Sequence, residues 1–466
     1  MRSRFQPVVV VAAMGSFSVL SIVLAGGCVP AREAPLEPVK IGVLASESGA
    51  LASFGTSLQK AVRLAQEQVN AAGGVFDGRP LELVVRDTGS DPATAAALAS
   101  ELVDEGVVAF VGPETSGQAD AVLDVAIAAE VPMVSCCATS ADLSARNSAS
   151  SGFFFRTAPS DVLQGEALAF VAKNGVNDVA SGLVFPACPQ VAFFARPDSY
   201  GEGFQTEFSE NYVGESVGFE SAAIVAEGTF PNDDPSQGEV DGAAAAFVTA
   251  IAANADPTKE LCIVFITFGF EGARLIGQME PELAALQAAG SLDYHYLTGD
   301  GAQEAAFLQE LQTNAPSSIQ QKLVGTVPFH ALSPAFDQFS TAFSARHGEA
   351  PSAYCAQAFD SLFITALATA KARSTVGTDV RNALFSVSGR DGGVSFDGGN
   401  FFGEIAAQLL EGDDVDYIGP SGDLTFDAVG DVQGDYVLWQ VVDDDAGGLT
   451  FQDKVPLPVS VFRPSI

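Results

Sequence analysis

Hydrophobic and polar positions along this chain fall into two alternating rhythms. The short apolar runs IGVLAS, LELVVRDT, VVAFVG and VPMVS are separated by longer stretches with apolar spacings of three and four. The short runs predict buried strands, and the longer stretches predict amphipathic helices. TSLQKAVRLAQEQVNAAGG ends on glycine, a common helix stop. DPATAAALASELVDEG opens at Asp91, which can cap it, and SGQADAVLDVAIAAE opens at Ser116, predicted as its N-cap. This β-α-β-α order predicts a doubly wound parallel sheet.

FFFRTAPSD interrupts the rhythm, and a second alternation begins. It runs through the helix VLQGEALAFVAKNG, the strand VAFFA, the helix SYGEGFQTEFSENYV and the strand SAAIVAE. The polar stretch FPNDDPSQGEVDG reads as a long loop. The helix GAAAAFVTAIAANA, the strand CIVFITF, a helix from Gly272 and the strand YHYLTGD follow. Ser333 to Lys371 is strongly helical, and a tail with the strand DYVLWQVV completes the chain. Two similar halves predict an α/β protein of two Rossmann-like lobes, the tail being too small for a third domain.

The candidate site lies at strand ends. Ser116 follows VVAFVG and Thr139 follows VPMVS. Open parallel sheets bind ligands outside the carboxyl ends of their strands. A helix N-terminus there presents free N–H groups and a partial positive charge, which suits a carboxylate.

Composition narrows the classes. With 47% hydrophobic and 17% charged residues the chain is not disordered. A net charge of −36 opposes nucleic acid and anionic membrane surfaces. The N-terminus reads as a targeting segment: Arg2 and Arg4, an apolar run from Val8 to Ala25, then LAGGC with Cys28. Residues 1–27 would be a lipoprotein signal peptide and 28–39 a Pro-rich tether, with Cys28 acylated; an uncleaved anchor is the alternative. Ala25 departs from the leucine more usual in the lipoprotein box. Three histidines and no CxxC pair argue against zinc, and no cofactor or metal is expected. Cys188 and Cys262 fall at one sheet end if their strands are neighbours. A disulfide between them and two buried thiols both fit.

The sequence resembles the periplasmic amino-acid-binding proteins of ABC transporters, of the leucine/isoleucine/valine type. The matching segments are IGVLASESGALASFG, VNAAGGVFDGRPLELVVRDTGSDP, VGPETSG, VPMVSCCATSADLS, FRTAPSD, SYGEGF, PSAYCAQAFDSLF and GPSGDLTFDAVGD, spanning about Lys40 to Asp435. The resemblance implies a type I periplasmic binding protein, with two lobes joined by three crossovers near Phe155–Pro159, Gly325–Pro328 and Gly434. Lobe 1 would hold 38–156 plus 329–433, and lobe 2 would hold 157–328 plus 434–466. Ser116 matches the hydroxyl that holds the ligand carboxylate, Thr139 matches the residue that contacts both carboxylate and ammonium, and Cys137 matches a position that uses its backbone carbonyl. Asp300 matches the acid that pairs with the ammonium, where the leucine-type proteins often carry glutamate. Phe54, Tyr200 and Phe268 match aromatic walls, with Phe270 an alternative to Phe268 on the same strand face. Glu114, beside the cleft, would add a polar preference.

The implied function is non-catalytic. An extracytoplasmic, monomeric receptor would capture a branched-chain or related apolar amino acid, or an amide, and deliver it to a permease. A sensor of the same fold acting on a signalling partner is the alternative. An enzyme is disfavoured, because the chain has no GxGxxG after its first strand, no GxSxG elbow, no HExxH and no P-loop. The Asp-Gly pairs lack EF-hand spacing and read as turns.

Overall fold

The computed structural model describes residues 36–149, 152–213, 222–315, 317–329, 333–389, 394–396, 401–411, 415–444 and 446–463. The targeting segment and Cys28 lie outside the described residues. Among the described residues, no helix is long and apolar enough to cross a membrane.

The first sheet comprises β1 (Val39–Ala45), β2 (Leu81–Asp87), β3 (Phe110–Val111), β4 (Met133–Ser135) and β5 (Phe154–Arg156), in the order β2-β1-β3-β4-β5. All its pairings are parallel. A small hairpin, β6 (Val176–Asp178) with β7 (Leu183–Phe185), precedes the second sheet. That sheet contains β8 (Gln190–Ala195), β9 (Ala223–Thr229), β10 (Glu260–Ile266), β11 (Asp293–Thr298) and β12 (Leu323–Pro328). A minor sheet of β13 (Val394–Ser395), β14 (Tyr417–Gly419) and β15 (Gly422–Asp423) follows. The tail strands β16 (Tyr436–Asp443) and β17 (Leu449–Leu457) then extend the second sheet to β17-β16-β12-β11-β10-β8-β9. They join it antiparallel.

The first five strands of each sheet are wound in the same order. The strand order reverses between β1 and β3 in one sheet and between β8 and β10 in the other. Such switch points are where doubly wound sheets leave a crevice for ligands. The strands there are apolar on both faces because helices cover both: β8 is buried throughout and β10 from Leu261 on. One core packs the helices Ala52–Ala71, Pro334–His347 and Cys355–Ala372 against the first sheet. Two others sandwich the second.

The chain passes between the lobes three times, and the passes lie side by side. Pro159 bridges Val432, the Phe329 N–H donates to the Asp435 carbonyl at 2.8 Å, and the Tyr436 hydroxyl donates to the Ser160 carbonyl at 3.2 Å.

Three local expectations need correction. Ser116 is not the N-cap of the helix Ser116–Ala129; Thr115 is, its hydroxyl accepting from the Gln118 N–H at 3.3 Å. The end of the supposed polar loop is helical from Gln237, because Glu239 reaches back to the Ser236 N–H at 2.8 Å, a capping-box contact. The helix expected from Gly272 starts at Gly269, directly after Phe268.

Among the described residues there are two disulfides. Cys188–Cys262 ties the segment before β8 to β10, with a Cα separation of 5.5 Å. Cys136–Cys137 joins adjacent residues after β4, a bond that the sequence reading did not anticipate. Cys355 is a buried free thiol. The longer loop spans 74 positions, so replacing Cys188 and Cys262 by serine should cost about 2–5 kcal/mol. Urea unfolding checks this, and an unchanged midpoint would show that the bond adds no stability.

Candidate functional site

The loops after β1, β3 and β4 meet those after β8, β10 and β11 around one cavity, which with its solvent-open mouth leaves about 460 Å3 free of protein atoms. It is lined by Leu51, Phe54, Glu114, Thr115, Ser116, Cys137, Thr139, Tyr200, Phe268, Asp300, Gly301, Gln303, Glu304 and Tyr354. The seven candidate ligand residues from the sequence are all in this set.

One wall offers hydrogen-bond donors. Ser116 occupies the first turn of its helix, and its Oγ accepts from the Ser140 N–H at 3.1 Å. That contact uses the oxygen as acceptor and leaves the hydroxyl hydrogen to donate. Thr139 is buried, and its carbonyl accepts from the Asp161 N–H at 2.8 Å. The loop between them is pinned by Ser135, whose hydroxyl donates to the Pro113 carbonyl at 2.6 Å and accepts from the Ala138 N–H at 3.1 Å. The Cys136–Cys137 ring closes the backbone immediately before Ala138 and Thr139.

The opposite wall is acidic. Asp300 opens a short 3-10 turn after β11 and does not cap the following helix, whose N-cap is Glu304. Its Oδ1 accepts from the Tyr200 hydroxyl at 3.0 Å, and its Oδ2 accepts from the Tyr354 hydroxyl. Burial pushes the Asp300 carboxyl above the usual carboxylate range, while both tyrosines pull it down. Burial and the Asp300 charge raise both phenols well above 10, so they stay protonated donors. Asp161 is a second buried carboxyl, raised by desolvation and then by the charge of Asp300.

The aromatics are arranged in pairs. Tyr200 stacks on Phe268 with centroids 5.6 Å apart, and the Arg196 guanidinium lies over Phe268 at 4.2 Å. Phe54 meets Tyr354 edge-on at 6.1 Å. Phe270, the alternative to Phe268, is exposed on a helix, because β10 ends at Ile266 and the backbone turns helical at Gly269.

Leu51, Thr115, Gln303, Glu304 and Tyr354 were not singled out from the sequence. Tyr354 lies inside the segment PSAYCAQAFDSLF. It adopts a left-handed conformation (φ 65°) as N-cap of the helix Cys355–Ala372, which turns its ring across the cleft. An aromatic preceding a helix start is too weak a signal to have marked it.

A profile of the family described as periplasmic binding protein matches residues 38–410. The chain is 33% identical over 193 residues to Leu/Ile/Val-binding protein homolog 3 of Brucella melitensis, covering 41% of this chain and 49% of that one. It is 29% identical over 172 residues to the leucine-, isoleucine-, valine-, threonine- and alanine-binding protein of Pseudomonas aeruginosa, covering 37% and 42%. The aligned region thus spans half or less of these two relatives. Among solved structures, the branched-chain amino acid transporter substrate-binding protein LivJ of Streptococcus pneumoniae, in complex with isoleucine, superposes with a TM-score of 0.65 at 24% identity. That match covers 90% of this chain and 100% of LivJ. This likeness carries the fold: two doubly wound lobes of the type I arrangement joined by three crossovers. With the profile spanning most of the chain, the protein belongs to the periplasmic binding protein family.

Proposed function

We propose that this protein is an extracytoplasmic receptor that captures a small amino acid in the inter-lobe cleft and delivers it to an ABC-transporter permease. The ligand would have an apolar stem, as branched-chain and related amino acids do. Lobe 1 would comprise 38–156 plus 329–433, and lobe 2 157–328 plus 434–466. The chain would be exported and held to the membrane by a lipid on Cys28.

The observation that carries this reading is the polarity of the cavity. A zwitterion needs donors at one end and a carboxylate at the other, and the cavity supplies Ser116 with Thr139 opposite Asp300. The rings of Phe54 and Phe268 supply an apolar wall with little rotamer entropy to lose. The ligand would touch both lobes, so binding would favour the closed arrangement over an open one. A permease could then distinguish loaded from empty receptor.

A thermal-shift screen of the compact unit Glu37–Ile466 against the α-amino acids, amides and small carboxylates tests this. A ligand present at a hundredfold excess over its dissociation constant stabilises the folded state by about 2.7 kcal/mol, which raises the melting temperature. An upward shift with at least one α-amino acid is expected. A shift with simple carboxylates alone would remove the ammonium role from Asp300, and no shift with any compound would favour a partner-sensing role.

A further inference from the structure

We infer that the ligand is a basic amino acid, apolar along its stem and cationic at its tip, and that Glu114 and Glu304 read that tip. This rests on the amino-acid reading above and narrows its substrate class.

The argument begins with what an α-amino acid leaves over. Its carboxylate is met by Ser116 and Thr139 and its ammonium by Asp300. Two further carboxyl groups line the same cavity, Glu114 from the first lobe and Glu304 from the second, and among the described residues no Lys, Arg or His lines it. A branched-chain ligand would carry no group for either. It would leave both acids facing a hydrocarbon, which is unfavourable.

Each carboxyl has capacity to spare. A carboxylate offers about four acceptor positions. Glu114 accepts from the Ser46 N–H, shared between its two oxygens at 3.1 Å each, and from the Ser46 hydroxyl at 3.1 Å. Glu304 Oε1 accepts from the Gly269 N–H at the start of the helix Gly269–Ala288. Its Oε2 is buried and has no hydrogen-bond partner. A buried acceptor left unmade is costly, and a donor brought by the ligand relieves it.

The protein's own cation does not answer this need. Arg196 lies over Phe268, but its guanidinium is engaged by Glu271, Asp198 and the Asp233 carbonyl. Leu51, Phe54 and Phe268 sit in the same lining and suit methylene groups. Burial pushes the Glu114 and Glu304 carboxyls up to about 7. Asp87 adds to the rise at Glu114; at Glu304, Glu271 adds to it and Arg196 opposes it. Both acids therefore ionise readily at pH 8, where a cationic tip would meet them charged.

Isothermal titration of the purified protein at pH 8 tests the inference, with ornithine, lysine, arginine, leucine, isoleucine, glutamine and putrescine as probes. At least one of the three basic amino acids should bind about 10-fold or more tighter than leucine and glutamine. Glu304→Gln and Glu114→Gln, each nearly isosteric, should cut that basic-to-leucine affinity ratio by about 10-fold or more. Two separate variants guard against one that fails to fold. Leucine, isoleucine or glutamine binding as tightly as every basic amino acid would overturn the inference while leaving the amino-acid receptor intact. Putrescine binding without any α-amino acid would overturn the amino-acid reading while the acidic tip site stands. A basic-to-leucine ratio unmoved in both variants would remove Glu114 and Glu304 as its readers.

Discussion

Replacing Asp300 by alanine should weaken amino-acid binding by about 10²-fold or more. The carboxylate is buried in the cleft, and its present partners, the Tyr200 and Tyr354 hydroxyls, are neutral donors. They hold its geometry but do not balance its charge. Burial accordingly pushes its pKa up, and a ligand ammonium would bring it down again. Removing one member of a buried charge pair costs about 3–5 kcal/mol, because the survivor is left desolvated and unpaired. At 1.4 kcal/mol per decade this is roughly two to three and a half orders of magnitude in the dissociation constant. Asp300→Asn separates charge from shape. It keeps a hydrogen-bonding side chain of the same size, so a loss as large as that of the alanine variant would assign the effect to the charge. Calorimetric titration of both variants with the tightest amino acid reads the result. Affinity within about threefold of the parent in Asp300→Asn would show that the ammonium is held elsewhere.

Much of this arrangement was legible in the sequence, for physical reasons. Buried parallel strands are continuous apolar runs, so β1, β3, β4, β8 and β10 stood out and with them the residues just past their ends. Ser116, Thr139 and Tyr200 are of that kind, and Asp300 stands just past the mixed strand β11. What stayed hidden depends on backbone geometry or on distant contacts. The cap fell on Thr115 rather than Ser116 because both neighbours are good caps, and only the dihedral angles decide between them. Phe270 seemed equivalent to Phe268 because strand periodicity was continued four residues past the true strand end. Tyr354 is about 54 positions from Asp300, and nothing local announces that its hydroxyl reaches across the cleft. Glu304 likewise gained meaning only when its second oxygen was found without a partner.

A second large effect is expected at Arg156, which is not a lining residue. Its side chain is fully buried at the end of β5. It makes a two-pronged pair with Asp431, Nε to Oδ1 at 2.7 Å and Nη2 to Oδ2 at 2.9 Å. Its Nη1 donates to the Ser140 carbonyl at 2.9 Å and the Ala138 carbonyl at 3.2 Å. Those two carbonyls bracket Thr139. Arg156 thus fastens the ligand loop to the segment beside the crossovers, where Pro159 bridges Val432. Arg156→Met keeps most of the volume but leaves the Asp431 carboxylate without a counter-charge, held only by the Ser144 hydroxyl at 2.7 Å, and two carbonyls without this donor, so stability should fall by about 3–5 kcal/mol in urea unfolding. Arg156→Lys keeps the charge but not the planar fork and should recover only part of the loss. The double variant Arg156→Met with Asp431→Leu should be more stable than Arg156→Met alone, because removing both partners leaves no orphaned charge. Amino-acid affinity supplies the other half of the test. If Arg156 positions Thr139, the double variant should regain stability without regaining affinity, since nothing would then hold the Ala138 and Ser140 carbonyls. Recovery of both together would reduce Arg156 to a structural counter-ion, and a loss below about 1 kcal/mol in Arg156→Met would show that the pair fastens nothing.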